Sequence, residues 1–237
     1  MTDPTAPGPL AATAALMADP ARARMLAALM GGEALTAGEL ARIAGVVPAT
    51  ASGHLARLAE GGLVAVHAQG RHRYHRLASE EVAAVIETLG GLSARIAPPR
   101  PWKHGDAARQ ARLCWNHLAG RFGVALHERL TVTGWLTPVP GGWAASADGR
   151  ARLAATGVDL DQAARAARFA CDCMDWSERR AHLAGGLGKE IATAWLARGW
   201  LRRLPAAGDG DVLARRRVAV TPEGARGLRE GLGLDAA

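Results

Sequence analysis

The sequence predicts a mainly α-helical protein with small β-hairpin wings, divided into an N-terminal domain and a duplicated C-terminal domain. Helix-capping residues mark the starts and ends of a series of predicted helices from residue 10 to residue 96. The segment LVAVHAQGRHRYHRL is rich in β-forming residues, with Gln69-Gly70 at a predicted hairpin tip. In the second half, two stretches match each other at an offset of 65 residues.

Length, composition and charge limit the class of protein. The 237 residues suit one large domain or two small ones, and three cysteines are too few for a disulfide framework. The N-terminus, MTDPTAPGPL, lacks the basic start and apolar core of a signal peptide, so we expect a cytoplasmic protein whose residues 1–9 form a disordered tail. The net charge of +7 favours a polyanionic partner, but all of this excess lies after residue 97.

The N-terminal domain, residues 10–96, is predicted from its helix signals. Asp19-Pro20 supplies an N-cap followed by proline at the first helical position. Thr36 and Glu39 form a capping box at the start of a short helix, and Pro48 begins the next one. A long helix is predicted over residues 80–96. The three prolines that follow it predict a linker over residues 97–106.

A helix, a tight turn, a second helix and a basic hairpin follow in the order of a winged helix-turn-helix. The second helix, from Pro48 to Glu60, carries small and short polar outward residues that suit a DNA major groove about 12 Å wide. The basic hairpin, which also carries His75 and Arg76, suits phosphates or a minor groove. Two solvated helices and a solvated hairpin are the alternative. The residues expected to contact DNA are Thr36, Pro48, Ala49, Thr50, Ser52, Gly53, His54, Arg57, Gln69, Arg71, His72, Arg73 and Tyr74.

This region resembles the ArsR family of bacterial metalloregulators and related repressors over roughly residues 10–96. The resemblance is carried by Asp19-Pro20-x-Arg22-x-Arg24-Met25-Leu26 and by LTAGELARIAGVVPATASGHLARLAEGGLVAVHAQGRHRYHRL. It implies a homodimer joined by the first helix and the helix at 80–96. It also implies a palindromic operator near the gene's own promoter, and release of DNA when an inducer binds.

The sequence departs from the metal-sensing members of this family. Their thiolate site lies in the helix before the recognition helix, where the segment ELARIAG has no cysteine. Another common site places histidine and acidic residues across the dimerising helix, and residues 80–96 contain no histidine. The resemblance therefore implies no arsenic or zinc sensing in the first domain.

Residues 107–237 contain the two matching stretches, HLAGRFGVALHERLTVTGWLTP from His117 and HLAGGLGKEIATAWLARGWLRR from His182. We interpret them as an internal duplication with repeats of about 107–165 and 166–237. Each repeat is predicted to be winged-helix-like, with a helix, a β-hairpin and a closing helix. The second hairpin carries arginines that are either a second DNA contact or a solvated face: Arg202, Arg203, Arg215, Arg216 and Arg217.

The cysteines of this domain are candidate sensor residues. Cys114 and His117 would face one side of a helix, and with Cys171 and Cys173 they could bind a soft metal or metalloid. A redox thiol switch and small hydrophobic core residues are the alternatives. At the constant offset of 65, neither Cys114 nor Cys173 recurs. His117 recurs as His182, which favours a structural role for both histidines.

The sequence offers little sign of catalysis. It contains no phosphate-binding glycine loop, HExxH or GxSxG, so we expect no catalytic residues.

The tryptophans of the C-terminal domain are expected mainly in its core, with an aromatic-lined inducer cavity as the alternative. The sequence thus predicts a DNA-binding transcriptional regulator, a repressor released from its operator by an inducer sensed in the C-terminal domain. The alternative is an enzyme or small-molecule-binding protein whose C-terminal domain acts on a ligand while its N-terminal domain is regulatory.

Overall fold

The structure is a computed structural model that describes residues 7–70, 72–96, 105–205 and 213–235. Arg71 and residues 97–104 of the predicted linker lie outside the described residues. The chain divides into an N-terminal unit that ends at Ile86 and a C-terminal unit that begins at Glu87. The elements of the N-terminal unit are α1 (Pro7–Ala18), α2 (Pro20–Leu29), β1 (Leu35–Thr36), α3 (Ala37–Ala44), α4 (Pro48–Glu60), β2 (Val64–Gln69), β3 (His72–Leu77) and the start of α5 (Glu80–Ile96).

The N-terminal unit forms the predicted winged helix-turn-helix. Both backbone N–H groups at the start of α2, those of Ala21 and Arg22, donate to Asp19 Oδ1 at 2.9 Å. Thr36 and Glu39 make the predicted capping box of α3, which Gly45 ends in the left-handed region at φ 71°. The strands form one antiparallel sheet in the order β1-β3-β2. The hairpin β2–β3 is called the wing below.

Two predicted boundaries differ from the structure. Helix α1 begins at Pro7, so residues 7–9, which were predicted as tail, are helical. Residues 105 and 106, which were predicted as linker, begin a helix of the C-terminal unit.

The C-terminal unit places helices around four described β-hairpins, β4–β5, β6–β7, β8–β9 and β10–β11, all antiparallel. Its elements after α5 are α6 (Gly105–Gln110), β4 (Arg112–Cys114), β5 (His117–Ala119), α7 (Gly120–Val132), β6 (Leu136–Val139), β7 (Gly142–Ala145), α8 (Ala147–Ala155), α9 (Leu160–Ala164), β8 (Cys171–Asp175), β9 (Arg180–Ala184), α10 (Gly185–Ala197), β10 (Leu201–Arg203), a 3-10 turn (Ala214–Arg216), β11 (Val218–Val220) and α11 (Pro222–Leu232).

Two runs of these elements share one order, which is hairpin, helix, hairpin and helix. The first run is β4-β5-α7-β6-β7-α8 and the second is β8-β9-α10-β10-β11-α11. The leading helices α7 and α10 both have 13 residues. The sequence analysis missed the leading hairpins, because strands of three to five residues show too little alternation to be recognised. The shared order agrees with the duplication, which stays a prediction.

Three tryptophans, Trp135, Trp195 and Trp200, are buried in the core of the C-terminal unit. Trp195 is fully buried, with Phe122 and Trp200 rings centred 6.4 and 6.2 Å away. Trp135 is buried as well, and Arg129 and Arg152 lie over its ring. Tryptophan therefore supplies aromatic packing here, as expected for a chain with two phenylalanines and one tyrosine.

Two glycines let each leading helix approach the hairpins closely. A Cβ on Gly123 would collide with the Leu118 carbonyl and lie 3.7 Å from the Cβ of His182. A Cβ on Gly188 would meet the Leu183 carbonyl and lie 3.1 Å from the Cβ of His117. Each helix start thus packs against the histidine of the other hairpin, which brings the two hairpins together.

Candidate functional site

The first candidate site is the outer face of α4. Its inner face is formed by Ala51, Leu55 and Leu58, which are buried as the sequence predicts. The opposite face is exposed, and it carries Pro48, Ala49, Thr50, Ser52, Gly53 and Arg57. This face has short side chains and one long cation, so it leaves room for a groove floor and supplies a phosphate or base contact.

Three of the residues expected at DNA make hydrogen bonds within the protein. The Ser52 hydroxyl donates to the Pro48 carbonyl at 3.0 Å, which leaves its oxygen able to accept a further hydrogen bond. His54 is only 15% exposed, and its Nδ1 lies 3.5 Å from Arg22 Nη1 and 3.9 Å from Asp19 Oδ1. It therefore ties α4 to the start of α2 and does not point outward as expected. The Thr36 hydroxyl is half-buried in its capping box.

The wing is exposed at its described tip, where Gln69, His72 and Arg73 face solvent and Tyr74 is half-buried. Arg71 lies outside the described residues. His75 differs from the expectation, because it is buried and its Nδ1 lies 3.3 Å from the Leu35 carbonyl oxygen. Burial lowers the pKa of His75, so the ring is neutral and belongs to the sheet core.

The second candidate site is a group of two cysteines and two histidines, called here the thiol–imidazole cluster: Cys114, His117, Cys173 and His182. Their four ligand atoms all lie within 4.8 Å of one another. The two Nε2 atoms of His117 and His182 are 3.1 Å apart, and the rings are stacked at a centroid distance of 5.1 Å. Three of the four residues are buried, and Cys173 is half-buried.

The cluster is built by strand pairing, not by a helix. Cys114 and His117 are opposite each other in the β4–β5 hairpin, so their predicted placement on a helix is wrong. Cys173 and His182 are opposite each other in β8–β9. Each hairpin therefore contributes one thiol and one imidazole from the same register position.

The cysteines do recur once the hairpins are compared by register. Two residues separate Cys114 from His117, but eight separate Cys173 from His182, so a constant offset hides the equivalence. Only the strand register shows it, because the two hairpins have turns of different length. Cys171 is paired with Ala184 and lies outside the four-residue group, although the sequence analysis proposed it as a ligand and left His182 out.

Glu87 of α5 joins the cluster, and sequence reasoning missed it. Its Oε1 is hydrogen-bonded to Cys114 Sγ at 3.0 Å, and its Oε2 to Cys173 Sγ at 3.4 Å. Burial raises the pKa of Glu87 to about 9, so this carboxyl is protonated at neutral pH. No local pattern indicates this role, because the helix at 80–96 carries no cysteine or histidine beside Glu87.

The groups around the cluster set its protonation. The pKa of Cys114 is lowered, first by its hydrogen bond with Cys173 and then by the two imidazoles and Arg216, against the effect of burial. Burial lowers the pKa of His117, which leaves a neutral imidazole. Arg216 is itself buried and its Nε donates to the Leu113 carbonyl at 2.8 Å. Arg216 therefore does not belong to the exposed arginine face expected from the sequence, whereas Arg202 and Arg203 are exposed.

A buried ion pair joins the two hairpins, between Arg112 at the start of β4 and Asp175 at the end of β8. Arg112 Nη2 donates to both carboxylate oxygens of Asp175 at 2.9 Å, and neither side chain is exposed to solvent. Asp175 also accepts from the backbone N–H of Gly120 at 2.6 Å and of Ser177 at 2.9 Å. Burial alone would raise the pKa of Asp175, but Arg112 and these donors outweigh it and lower the pKa to about 2. This carboxylate faces His182, whose Nδ1 lies 3.8 Å from Asp175 Oδ2.

Among the described residues, no helix combines the length and the apolar character that crossing a membrane requires.

Residues 17–67 match a family described as a helix-turn-helix domain. Two solved structures are similar to part of the chain. HlyU from Vibrio cholerae is 31% identical, covering 35% of this chain and 89% of its own, with a TM-score of 0.33. The homodimeric winged helix-turn-helix DNA-binding domain of Mb0332 from Mycobacterium bovis is 25% identical, covering 40% and 87%, with a TM-score of 0.36.

Two protein sequences are also similar. The HTH-type transcriptional regulator YgaV of Escherichia coli K12 is 36% identical over 73 residues, which are 31% of this chain and 74% of that protein. The uncharacterized HTH-type transcriptional regulator YdfF of Bacillus subtilis strain 168 is 37% identical over 199 residues, which are 83% of this chain and 88% of that protein. The chain therefore belongs to the family of HTH-type transcriptional regulators, as its ArsR-like winged helix-turn-helix predicted.

Proposed function

We propose that the protein is a homodimeric repressor that binds a palindromic operator through α4 and the wing, and that an inducer sensed in the C-terminal unit releases it. The observation that carries the DNA-binding part is the outer face of α4, which is exposed and carries small and polar residues. Arg57 on that face and Arg73 on the wing supply positive charge on the elements that winged helix-turn-helix proteins present to DNA. Chromosomal DNA as the partner implies action in the cytoplasm.

The proposed homodimer is supported by an exposed apolar stripe on α5. Val85, Leu89, Leu92 and Ile96 are 46%, 46%, 42% and 75% exposed. Their spacing of four, three and four residues places them along one side of the helix. A second copy of α5 is the occupant that fits best, because a two-fold dimer pairs a stripe with itself and matches a palindrome.

Sensing in the C-terminal unit is supported by where reactive groups lie. In the described N-terminal unit, α3 holds no thiol, whereas the C-terminal unit gathers two thiols and two imidazoles in one buried cluster. A buried cluster of this kind cannot touch DNA directly. Its chemistry therefore suits a ligand whose binding changes the conformation of the protein.

The DNA-binding part is tested by measuring the affinity of full-length protein for a duplex from upstream of its own gene and for a scrambled duplex. Anisotropy titrations between about 50 and 200 mM salt give, for both duplexes, the slope of the logarithm of the binding constant against the logarithm of the salt concentration. Arg73→Ala should weaken both complexes alike and reduce the slope by about 1, as loss of one phosphate contact does. Arg150→Ala is the matched control, since Arg150 is an exposed cation of α8 that pairs with Asp161.

Ser52→Ala is expected to weaken mainly the upstream duplex, because a side chain that reads a base edge carries about 1–3 kcal/mol of discrimination. An Arg73→Ala protein with unchanged affinity and an unchanged slope would exclude the wing as a DNA contact. Catalytic turnover of any ligand that releases the DNA would instead favour the enzyme alternative.

A further inference from the structure

We propose that Cys114, His117, Cys173 and His182 bind one Zn²⁺ ion in a tetrahedral Cys₂His₂ site. Zn–S bonds near 2.3 Å and Zn–N bonds near 2.0–2.1 Å require ligand atoms separated by about 3.3–3.8 Å around a tetrahedron. The four ligand atoms lie within 4.8 Å of one another, and the two imidazole nitrogens are already 3.1 Å apart. The ligands therefore need to move by no more than about 1 Å to surround one ion.

The orientation of the two imidazoles points to a shared cation. Asn116 Oδ1 lies 3.2 Å from His117 Nδ1 and can only accept a hydrogen bond, so the proton of this neutral ring lies on Nδ1. Its Nε2 then carries a lone pair. The Nδ1 of His182 faces the Asp175 carboxylate, and the tautomer with a proton on this Nδ1 avoids placing a lone pair opposite an anion. Both Nε2 lone pairs then face each other at 3.1 Å, an arrangement that a metal ion between them stabilises.

The charge of the cluster fits a divalent ion. Two thiolates and one Zn²⁺ sum to zero, so binding adds no net charge to a buried site where an uncompensated charge would be costly. The site has four protein ligands, and Asn116 and Asp175 lie at the outer nitrogens of the two imidazoles. This matches a closed site more closely than a catalytic zinc site, which keeps one position for water.

A disulfide between Cys114 and Cys173 is the main alternative for this cluster. A thiol switch needs two sulfur atoms and an oxidant, and it gives no reason for two histidines to be placed at matching positions of two hairpins. The metal site accounts for all four side chains. The geometry therefore favours a metal over a redox switch.

Glu87 gives the site a connection to α5. The carboxyl is hydrogen-bonded to both thiols, and these sulfur atoms become metal ligands when Zn²⁺ binds. Zn²⁺ binding requires both thiols to lose the protons that they donate to Glu87, so the ion changes the contacts that hold this part of α5. Its use as the signal that changes operator binding rests on the proposed function, whereas the site itself does not.

The site is tested on full-length protein that has been reduced, stripped with a chelator and titrated with Zn²⁺ against a chromogenic competitor. One ion per chain is expected. The Co²⁺ form of the protein should show thiolate charge-transfer bands and the strong visible absorption of a tetrahedral site. Cys173→Ser and His182→Gln should each weaken Zn²⁺ binding at least about 100-fold, since loss of a residue that only hydrogen-bonds a ligand already costs about 10–100-fold.

Cys171→Ser is the matched control, because Cys171 lies two residues away on β8 and outside the cluster. It should bind Zn²⁺ as the parent protein does. Equal weakening by Cys171→Ser and Cys173→Ser, or a protein that binds no stoichiometric ion, overturns the site. So does formation of a Cys114–Cys173 disulfide under mild oxidation in a protein that takes up no Zn²⁺. If a ligand variant fails to fold, the Co²⁺ spectrum of the parent protein still decides between tetrahedral sulfur–nitrogen coordination and none.

The regulatory step is tested by repeating the operator titration with and without one equivalent of Zn²⁺. The expected result is a change of at least about tenfold in operator affinity, a coupling within the usual range for linked sites. Glu87→Ala, which removes the acceptor of both thiol hydrogen bonds, should keep one ion per chain and lose this change. Zn²⁺ binding without any change in operator affinity overturns the regulatory step and leaves the site standing. Absence of operator binding under both conditions overturns the proposed function instead.

Discussion

Replacing Asp175 with Asn should destabilise the C-terminal unit by about 3–5 kcal/mol, because it leaves the Arg112 guanidinium buried without a counter-charge. Both side chains are 0% exposed, and Arg112 Nη2 lies 2.9 Å from each carboxylate oxygen. An amide keeps the size of the side chain but can accept at only one oxygen, so it cannot replace the paired charge-assisted bonds. The substitution therefore measures the effect of removing the charge while the volume of the side chain stays the same.

Urea unfolding in the presence of a chelator, followed by tryptophan fluorescence, measures this cost. All seven tryptophans lie after residue 100, so the signal reports the C-terminal half of the chain. Asp235→Asn is the control, since the Arg229–Asp235 pair is 67% and 77% exposed and should contribute at most about 1 kcal/mol. Equal small losses in the two variants would refute the argument that the buried pair anchors the hairpins. The double variant Arg112→Leu/Asp175→Leu should cost less than Asp175→Asn, because it leaves no buried charge.

Three further predictions concern a buried histidine, a closely packed glycine and an exposed leucine. Burial, with a smaller effect of Arg73, lowers the pKa of His75, so the unfolded chain binds this proton more readily than the folded N-terminal unit. Its stability should therefore fall as the pH drops below 6.5, and His75→Gln should reduce that slope in melting curves followed by circular dichroism. Gly188→Ala should cost about 1–3 kcal/mol of unfolding free energy in the same urea assay, since the new Cβ meets the Leu183 carbonyl. Leu89→Arg on α5 should convert dimers to monomers in analytical ultracentrifugation.

Matched variants show which outcomes would contradict these predictions. An unchanged pH slope in His75→Gln would mean that this ring does not cause the loss. Gly90→Ala has open space around its new Cβ and should stabilise α5 by up to about 1 kcal/mol. An equal effect at Gly188 would exclude the close approach. Val132→Arg, at an 85% exposed valine of α7, should leave the oligomeric state unchanged, and a dimer that also survives Leu89→Arg would not use the α5 stripe.

The N-terminal unit could be predicted closely because its signals are local. Capping side chains hydrogen-bond residues two or three positions away, as Asp19 and Thr36 do, so the sequence itself specifies where a helix begins. The failures there are also physical. His54 and His75 looked like polar outward residues, but long-range partners on α2 and β1 hold them inside. Nothing in the local pattern distinguishes a buried histidine from an exposed one.

The thiol–imidazole cluster could be predicted only in part. Cys114, His117 and Cys173 were named from residue type and proximity in sequence, and the structure does bring them together. Glu87 and His182 were missed because their distances from Cys114 along the chain are set by tertiary packing. The recurrence of His117 as His182 favours a structural role when the sequence alone is considered. Recurrence is what a symmetric binding site would show as well.

If the C-terminal unit is a duplication, as predicted, each repeat supplies half of the thiol–imidazole cluster. A unit that presents one cysteine and one histidine across a short hairpin offers two ligands, which are too few for a closed metal site. Two such units packed through their leading helices, with Gly123 and Gly188 admitting the hairpins, offer four. Helix α3 carries no cysteine and α5 carries no histidine, yet α5 contacts the cluster through Glu87. A metal ion bound by these four ligands would therefore act directly on the helix that is also expected to join the dimer.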